Sequence, residues 1–181
     1  MPFTFTACPI TGLFEIQPKV FGDQRGYFFE CYSERDFSAA GISMHFVQDN
    51  QSRSGKGTLR GLHFQKNHPQ GKLVRAIEGE VFDVAVDMRP GSPTLGKWHG
   101  VILNSEKQNQ YYIPPGFAHG FVALTEQVIF AYKCTDFYYP EDEGGIIWND
   151  PTIGIKWPDI GMDYILSDKD ARLPSWEAVN R

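Results

Sequence analysis

The chain has little of what would mark it for a membrane, for export or for nucleic acid. Its three cysteines, Cys8, Cys31 and Cys134, are odd in number and lack metal-ligand spacing. That suits buried thiols in a reducing compartment better than a disulfide framework. No stretch approaches the roughly 20 apolar residues that span a bilayer, and Met1-Pro2-Phe3-Thr4-Phe5 lacks the basic and apolar regions of a leader. A soluble, cytoplasmic protein is expected. Positive charge is also scarce: 17 Lys and Arg against 22 Asp and Glu leave a net charge of -5, without the basic face that general nucleic-acid binding needs. No repeat, low-complexity tract or linker divides the 181 residues, so a single domain over 1–181 is expected, with a short helical C-terminal extension from about residue 167.

Helix signals are few. Ser33 with Asp36 three residues later predicts a capped helix ending at Gly41, and Ser167 with Asp170 repeats the pattern near the C-terminus. Two-residue alternation dominates instead. Over Val81 to Met88, the residues Phe82, Val84, Val86 and Met88 share one face and Asp83 and Asp87 the other, which predicts a half-buried strand. Leu73 to Ile77 is expected to pair with it across Glu78-Gly79-Glu80. Further strands fit Trp98 to Leu103, Gln110 to Ile113, Gly120 to Leu124 and Val128 to Cys134, with turn signals such as Pro90-Gly91-Ser92-Pro93 between them. Many short strands at this spacing predict an all-β sandwich or barrel.

Within this frame the run Leu59-Arg60-Gly61-Leu62-His63-Phe64-Gln65 carries the first chemical signal. A neutral imidazole flanked by Arg60 and Lys72 is poised to take a proton from an anionic substrate; on this segment alone, a hydrogen-bonded core histidine fits as well. A second histidine, His119, follows the turn-forming Pro114-Pro115-Gly116. Tyr132 falls on the inward face with Val128, Phe130 and Cys134, where a phenol needs a partner or a task. Arg25, Arg60, Lys72 and Lys169 are cations that would attract an anionic small molecule if they converge.

Several segments, taken in order, closely resemble the dTDP-4-dehydrorhamnose 3,5-epimerases of the rhamnose pathway. They are Phe21-Gly22-Asp23-Gln24-Arg25-Gly26, Val47-Gln48-Asp49-Asn50, Arg60 to Gln65, Gln70-Gly71-Lys72-Leu73-Val74-Arg75, Pro114 to Phe121, Tyr132-Lys133-Cys134-Thr135, Trp148-Asn149-Asp150-Pro151 and Leu166-Ser167-Asp168-Lys169-Asp170. The resemblance covers about Phe21 to Asp170. It implies a cupin-type jelly roll with a few short helices, a homodimer, and a dTDP-linked 4-keto-6-deoxy sugar as substrate. It further implies that His63 is the general base paired with Asp170, that Tyr132 is the proton donor on the opposite sugar face, and that Lys72 lies near the oxygen that becomes an enolate. Arg25, Glu30, Gln48, Asp49, Asn50, Arg60, His119, Glu143 and Lys169 match substrate-contacting segments, and Tyr138 a position that stacks on thymine. Arg25 and Glu30 would reach the site across the dimer interface.

The chemistry is coherent on its own terms. A proton alpha to a ketone becomes removable when a base is held in place and a preorganised cation meets the developing oxyanion. Inversion then needs an acid opposite the base. His63-Phe64-Gln65 breaks the His-x-His pattern of metal-dependent cupins, so neither a catalytic metal nor another cofactor is expected. One geometric condition follows as well: Arg60 and His63, three apart, face opposite ways on a regular strand, and a bulge at Gly61 would bring both into one cavity. The competing readings are a single-carbon 3- or 5-epimerase, a ketoisomerase of the same fold, and a silent nucleotide-sugar binder, which would not need a base and an acid together.

Overall fold

A computed structural model describes residues 2–180. Six strands form one antiparallel sheet: β1 (Phe3–Ala7), β2 (Phe14–Pro18), β10 (Gln110–Ile113), β7 (Lys72–Glu78), β12 (Gln127–Cys134) and β5 (Gln48–Gly55), in that spatial order. Five form a second: β13 (Glu143–Gly145), β6 (Leu59–Gln65), β11 (Phe117–Ala123), β8 (Glu80–Asp87) and β9 (Trp98–Asn104). A separate hairpin joins β3 (Phe21–Asp23) to β4 (Gly26–Phe28). Two short helices, α1 (Glu34–Ala39) and α2 (Trp176–Val179), complete the architecture. This is the expected all-β jelly roll of cupin type.

The two sheets face each other across a core in which Val74 and Ala76 of β7 and Val128 and Phe130 of β12 meet Val81 and Ala85 of β8 and Phe121 of β11. Every one of these is an alternate residue on its strand, as a sheet with one apolar face requires. The Ser33 cap forms as predicted: its hydroxyl accepts the Asp36 N–H at 3.4 Å. Such caps contribute about 1 kcal/mol.

Two strand expectations need correction. The strands β7 and β8 are not hydrogen-bonded partners, because they lie in different sheets. Gly79, at φ +77°, turns the chain from one sheet to the other, and a Cβ there would collide with the Gln127 carbonyl and the Thr125 hydroxyl. Nor is β8 half-buried, since both of its faces are covered. Val84 and Val86 lie under Ile146, Ile153 and Trp176, contributed by the chain after β13. Asp83 and Asp87, expected toward solvent, are fully buried. Asp87 accepts bonds from Arg89, Ser92 and Thr94 and so holds the turn that leads into β9. Asp83 points into the space between the sheets, beside Val81 and Ala85. The segment from residue 167 thus packs against the second sheet: Trp176 is buried and its N–H is held by Asp150 at 2.9 Å. Burying a side chain of that size contributes on the order of 2–3 kcal/mol.

Candidate active site

At one end the two sheets part around adjoining hollows of about 280 and 270 Å3 that share His63, Lys72 and Tyr132. His63 comes from β6 in the five-stranded sheet, whereas Lys72 on β7 and Tyr132 on β12 come from the six-stranded sheet. A molecule between them would meet the imidazole on one side and the phenol and ammonium on the other.

The irregularity required at Gly61 is present. His119 pairs with His63 and Phe121 with Arg60, so two steps on β11 match three on β6. The extra residue turns Arg60 and His63 into the same hollow. Gly61 has φ +116°, and a Cβ on it would lie 2.6 Å from the Gly120 Cα, so only glycine fits. The bulge also turns the Gly61 backbone to Asp170, whose carboxylate it helps to hold.

His63 Nε2 donates to Asp170 Oδ1 at 2.6 Å, leaving Nδ1 for a substrate. Burial works to raise the Asp170 pKa, but the bonds from His63, Ser167 and Gly61 outweigh it and hold the carboxyl below its ordinary range. The Ser167 signal is therefore partly what the sequence suggested. Its hydroxyl accepts the Asp170 N–H at 3.1 Å, but the turn it starts is a single 3-10 turn, Asp170–Arg172, and the Asp170 side chain is directed at His63. Burial lowers the Lys72 pKa and raises that of Tyr132. Both shifts favour the neutral form, as desolvation always does.

His119 lies on β11 rather than in the preceding turn, directly opposite His63. Its Nε2 is held by both oxygens of Asp83, at 2.8 and 3.1 Å. Burial raises the pKa of Asp83, which the charge and hydrogen bond of His119 only partly offset. Arg60 Nε donates to Ser54 Oγ at 3.2 Å. At the rim, Tyr138 Oη and Lys169 Nζ both donate to Glu143 Oε2, at 2.6 and 2.5 Å. Gln48 accepts the Tyr138 N–H at 3.0 Å and bonds Asn50 at 3.1 Å.

Eleven of the fourteen residues singled out in the sequence therefore come together around the two hollows. Those eleven are His63, Lys72, Tyr132, Asp170, Gln48, Asn50, Arg60, His119, Tyr138, Glu143 and Lys169. Asp49 does not join them: one residue out of phase with Gln48 and Asn50, it pairs with Lys133 at 2.9 Å beside a groove outside the cavity. Arg25 and Glu30 do not join them either. Arg25 is exposed on the β3–β4 hairpin, held by Asp23 at 2.5 Å, so the four cations do not converge within one copy. Sequence reasoning missed Asp83, Gln70 and Ser52. Asp83 carried one usable signal, since Val81 and Ala85 share its face.

Fold and site define a jelly-roll protein of the acid–base type, with a carboxylate-held histidine facing a tyrosine and a lysine across a cavity. The family model for dTDP-4-dehydrorhamnose 3,5-epimerase matches residues 7–178, and the chain belongs to that family. A Pseudomonas aeruginosa protein of that name is 56% identical over 171 residues, covering 94% of this chain and 93% of its own. A crystal structure of the Elizabethkingia anophelis dTDP-4-dehydrorhamnose 3,5-epimerase is similar over 100% of both chains, with a TM-score of 0.94 and 46% identity. A Legionella pneumophila dTDP-6-deoxy-D-glucose-3,5-epimerase, solved with dTDP-4-keto-L-rhamnose, gives a TM-score of 0.95 and 49% identity over 98% of this chain and 94% of that one.

Proposed function

We propose that the protein is an isomerase that epimerises carbons 3 and 5 of dTDP-4-dehydro-6-deoxy-D-glucose to give dTDP-4-dehydro-L-rhamnose. The observation that carries this reading is the opposition of His63 and Tyr132 across one cavity, with Lys72 on the tyrosine side. His63 Nδ1 takes the proton alpha to the ketone, and Asp170 stabilises the imidazolium that forms. The electron pair moves onto the carbon-4 oxygen, where the Lys72 ammonium meets it. Tyr132 then returns a proton from the other face, which inverts the carbon. Solvent water takes the proton from the imidazolium and restores one to the phenolate before the next turn. Repeating the cycle at the second carbon uses the same enolate oxygen. Arg60 and Lys169 suit the diphosphate, Tyr138 the thymine, and Gln48, Asn50, His119 and Glu143 the polar edges of the substrate.

These groups supply the whole acid–base cycle without a metal or other cofactor. The chain works as one domain in the cytoplasm, on a small molecule rather than nucleic acid, and its product feeds polysaccharide precursors. Proton NMR in deuterated water with EDTA present tests the reading. Deuterium at carbons 3 and 5 and an L-configured product are expected; label at one carbon makes it a single-site epimerase, and no label makes it a binder.

The same reading includes a homodimer. The β3–β4 hairpin exposes Phe21, Tyr27 and Phe28 at 52%, 62% and 69%, and an apolar, arginine-bearing arm of this kind suits packing on a second copy, to whose cavity it brings Arg25 and Glu30. Light scattering at micromolar concentration is expected to give twice the chain mass. A monomer would remove this part of the proposal.

A further inference from the structure

We propose that Gln70 is a positioning residue for Lys72: it fixes the ammonium with a neutral acceptor, so that the positive charge is left for the oxyanion that forms on the substrate. The inference rests on the role of Lys72 proposed above. Lysine is a compact charge on a flexible four-carbon stem, and a cation meant to meet an oxyanion without reorganisation must be held before the reaction starts. Lys72 Nζ donates to Gln70 Oε1 at 2.9 Å. The Gln70 amide cannot easily turn over, because its Nε2 donates to the Asp136 carbonyl at 2.9 Å. That leaves only its oxygen for the lysine.

The support beneath this pair is rigid. Gly71 N–H donates to Thr135 Oγ1 at 2.7 Å, and Thr135 N–H donates back to the Gly71 carbonyl at 3.0 Å. Residues 70 and 72 fall on the same side of the chain, and both line the cavity with His63 and Tyr132.

The choice of an amide matters electrostatically. The carboxylates whose charge Lys72 feels, Asp83 and Glu143, are bonded to His119 and to Tyr138 and Lys169. A carboxylate at position 70 would make an ion pair with the ammonium and cancel much of its field at the carbon-4 oxygen. Glutamine gives the orientation and leaves the charge.

The test is deuterium exchange by the full-length protein with its dTDP-sugar substrate, for Gln70→Met, Lys72→Met and the double variant. Because both carbons share one enolate oxygen, Gln70→Met is expected to lower kcat for exchange at carbons 3 and 5 by a common factor of about 10- to 100-fold, below the loss of a whole oxyanion donor. Affinity for dTDP and the melting temperature should stay at wild-type values. In the Lys72→Met background the same substitution should cost nothing more. An equal loss in both backgrounds, or none in the wild type, overturns the inference. Full activity in Lys72→Met overturns instead the role of the lysine, and with it the ground on which the inference stands. Gln70→Glu, which keeps the length and polarity of the side chain should Gln70→Met misfold, separates orientation from charge. It is expected to slow exchange at both carbons, and a wild-type rate would overturn the claim that neutrality matters.

Discussion

Two His–Asp pairs stand side by side on neighbouring strands, and they have been built for different ends. His63 and His119 are opposed in register on β6 and β11, each with Nε2 on a carboxylate. The first pair is open, with 33% of the His63 side chain exposed and 6% of Asp170; the second is sealed, at 9% for His119 and none for Asp83. Their carboxylates shift in opposite directions. Asp170, with three donors, is held low and stays ionised, whereas desolvation raises Asp83. Access and solvation, more than the identity of the two residues, decide which imidazole can trade protons with a substrate.

The largest effect expected from this contrast is at the open histidine. His63→Ala should lose exchange at both carbons by about 10²–10⁴-fold or more, measured as deuterium incorporation by NMR. His119→Ala, if it abolished exchange to the same depth, would erase the distinction between the pairs. Next in size is Tyr132→Phe, which keeps the ring against Phe130 but removes the hydroxyl. Inversion at carbon 5 should fall on the order of a hundredfold while His63-dependent exchange persists; inversion at the wild-type rate would make the phenol a packing residue only. Asp170→Ala should be slower by about 10- to 100-fold without being dead, because orientation is lost but the base remains. Full rate with reduced stability would reduce Asp170 to a turn residue.

The smallest effect is on stability against pH, and there the two carboxylates differ in sign. A folded pKa below the ordinary 3.8 of Asp170 means its pairing stabilises above that pH and is lost as pH falls through the folded value. The melting temperatures of Asp170→Ala and wild type should therefore converge in acid. For Asp83, raised above 3.8, the folded state binds the proton more tightly. Its burial then opposes folding increasingly as pH rises from about 3.8, and Asp83→Asn should gain on wild type over that interval before levelling off. Thermal melts across pH 3 to 7 read both slopes, and slopes of the same sign would contradict the assigned shifts.

Much of this arrangement was legible beforehand because it is periodic. The alternation of Val128, Phe130 and Tyr132 set the strand and the direction of the phenol, and the odd spacing of Arg60 and His63 required the bulge that β6 contains. What escaped was aperiodic. The cover over β8 comes from irregular chain after β13, which carries no repeat to read, so Asp83 looked solvent-facing. Gly79 announced a turn but could not say that β7 and β8 would end in different sheets. Gln70 and Ser52 are small polar residues in segments where polarity is ordinary. Arg25 and Glu30 resembled substrate contacts by motif, yet Arg25 sits on an exposed hairpin and neither residue lines the hollows.

The bulge on β6 has a consequence for inheritance. Because Gly61 lies against the Gly120 backbone, the two glycines work as one lock across neighbouring strands. A side chain at either has no room, and a change at one cannot be repaired by shrinking the other, which is already without a side chain. Pairing the run as a regular strand without the bulge would put Arg60 and His63, three residues apart, on opposite faces of the sheet at a stroke. Small steps through sequence space are thereby closed at this strand. The run from Arg60 to His63 passes from parent to descendant as a single word, to be kept whole or lost together with the chemistry it places.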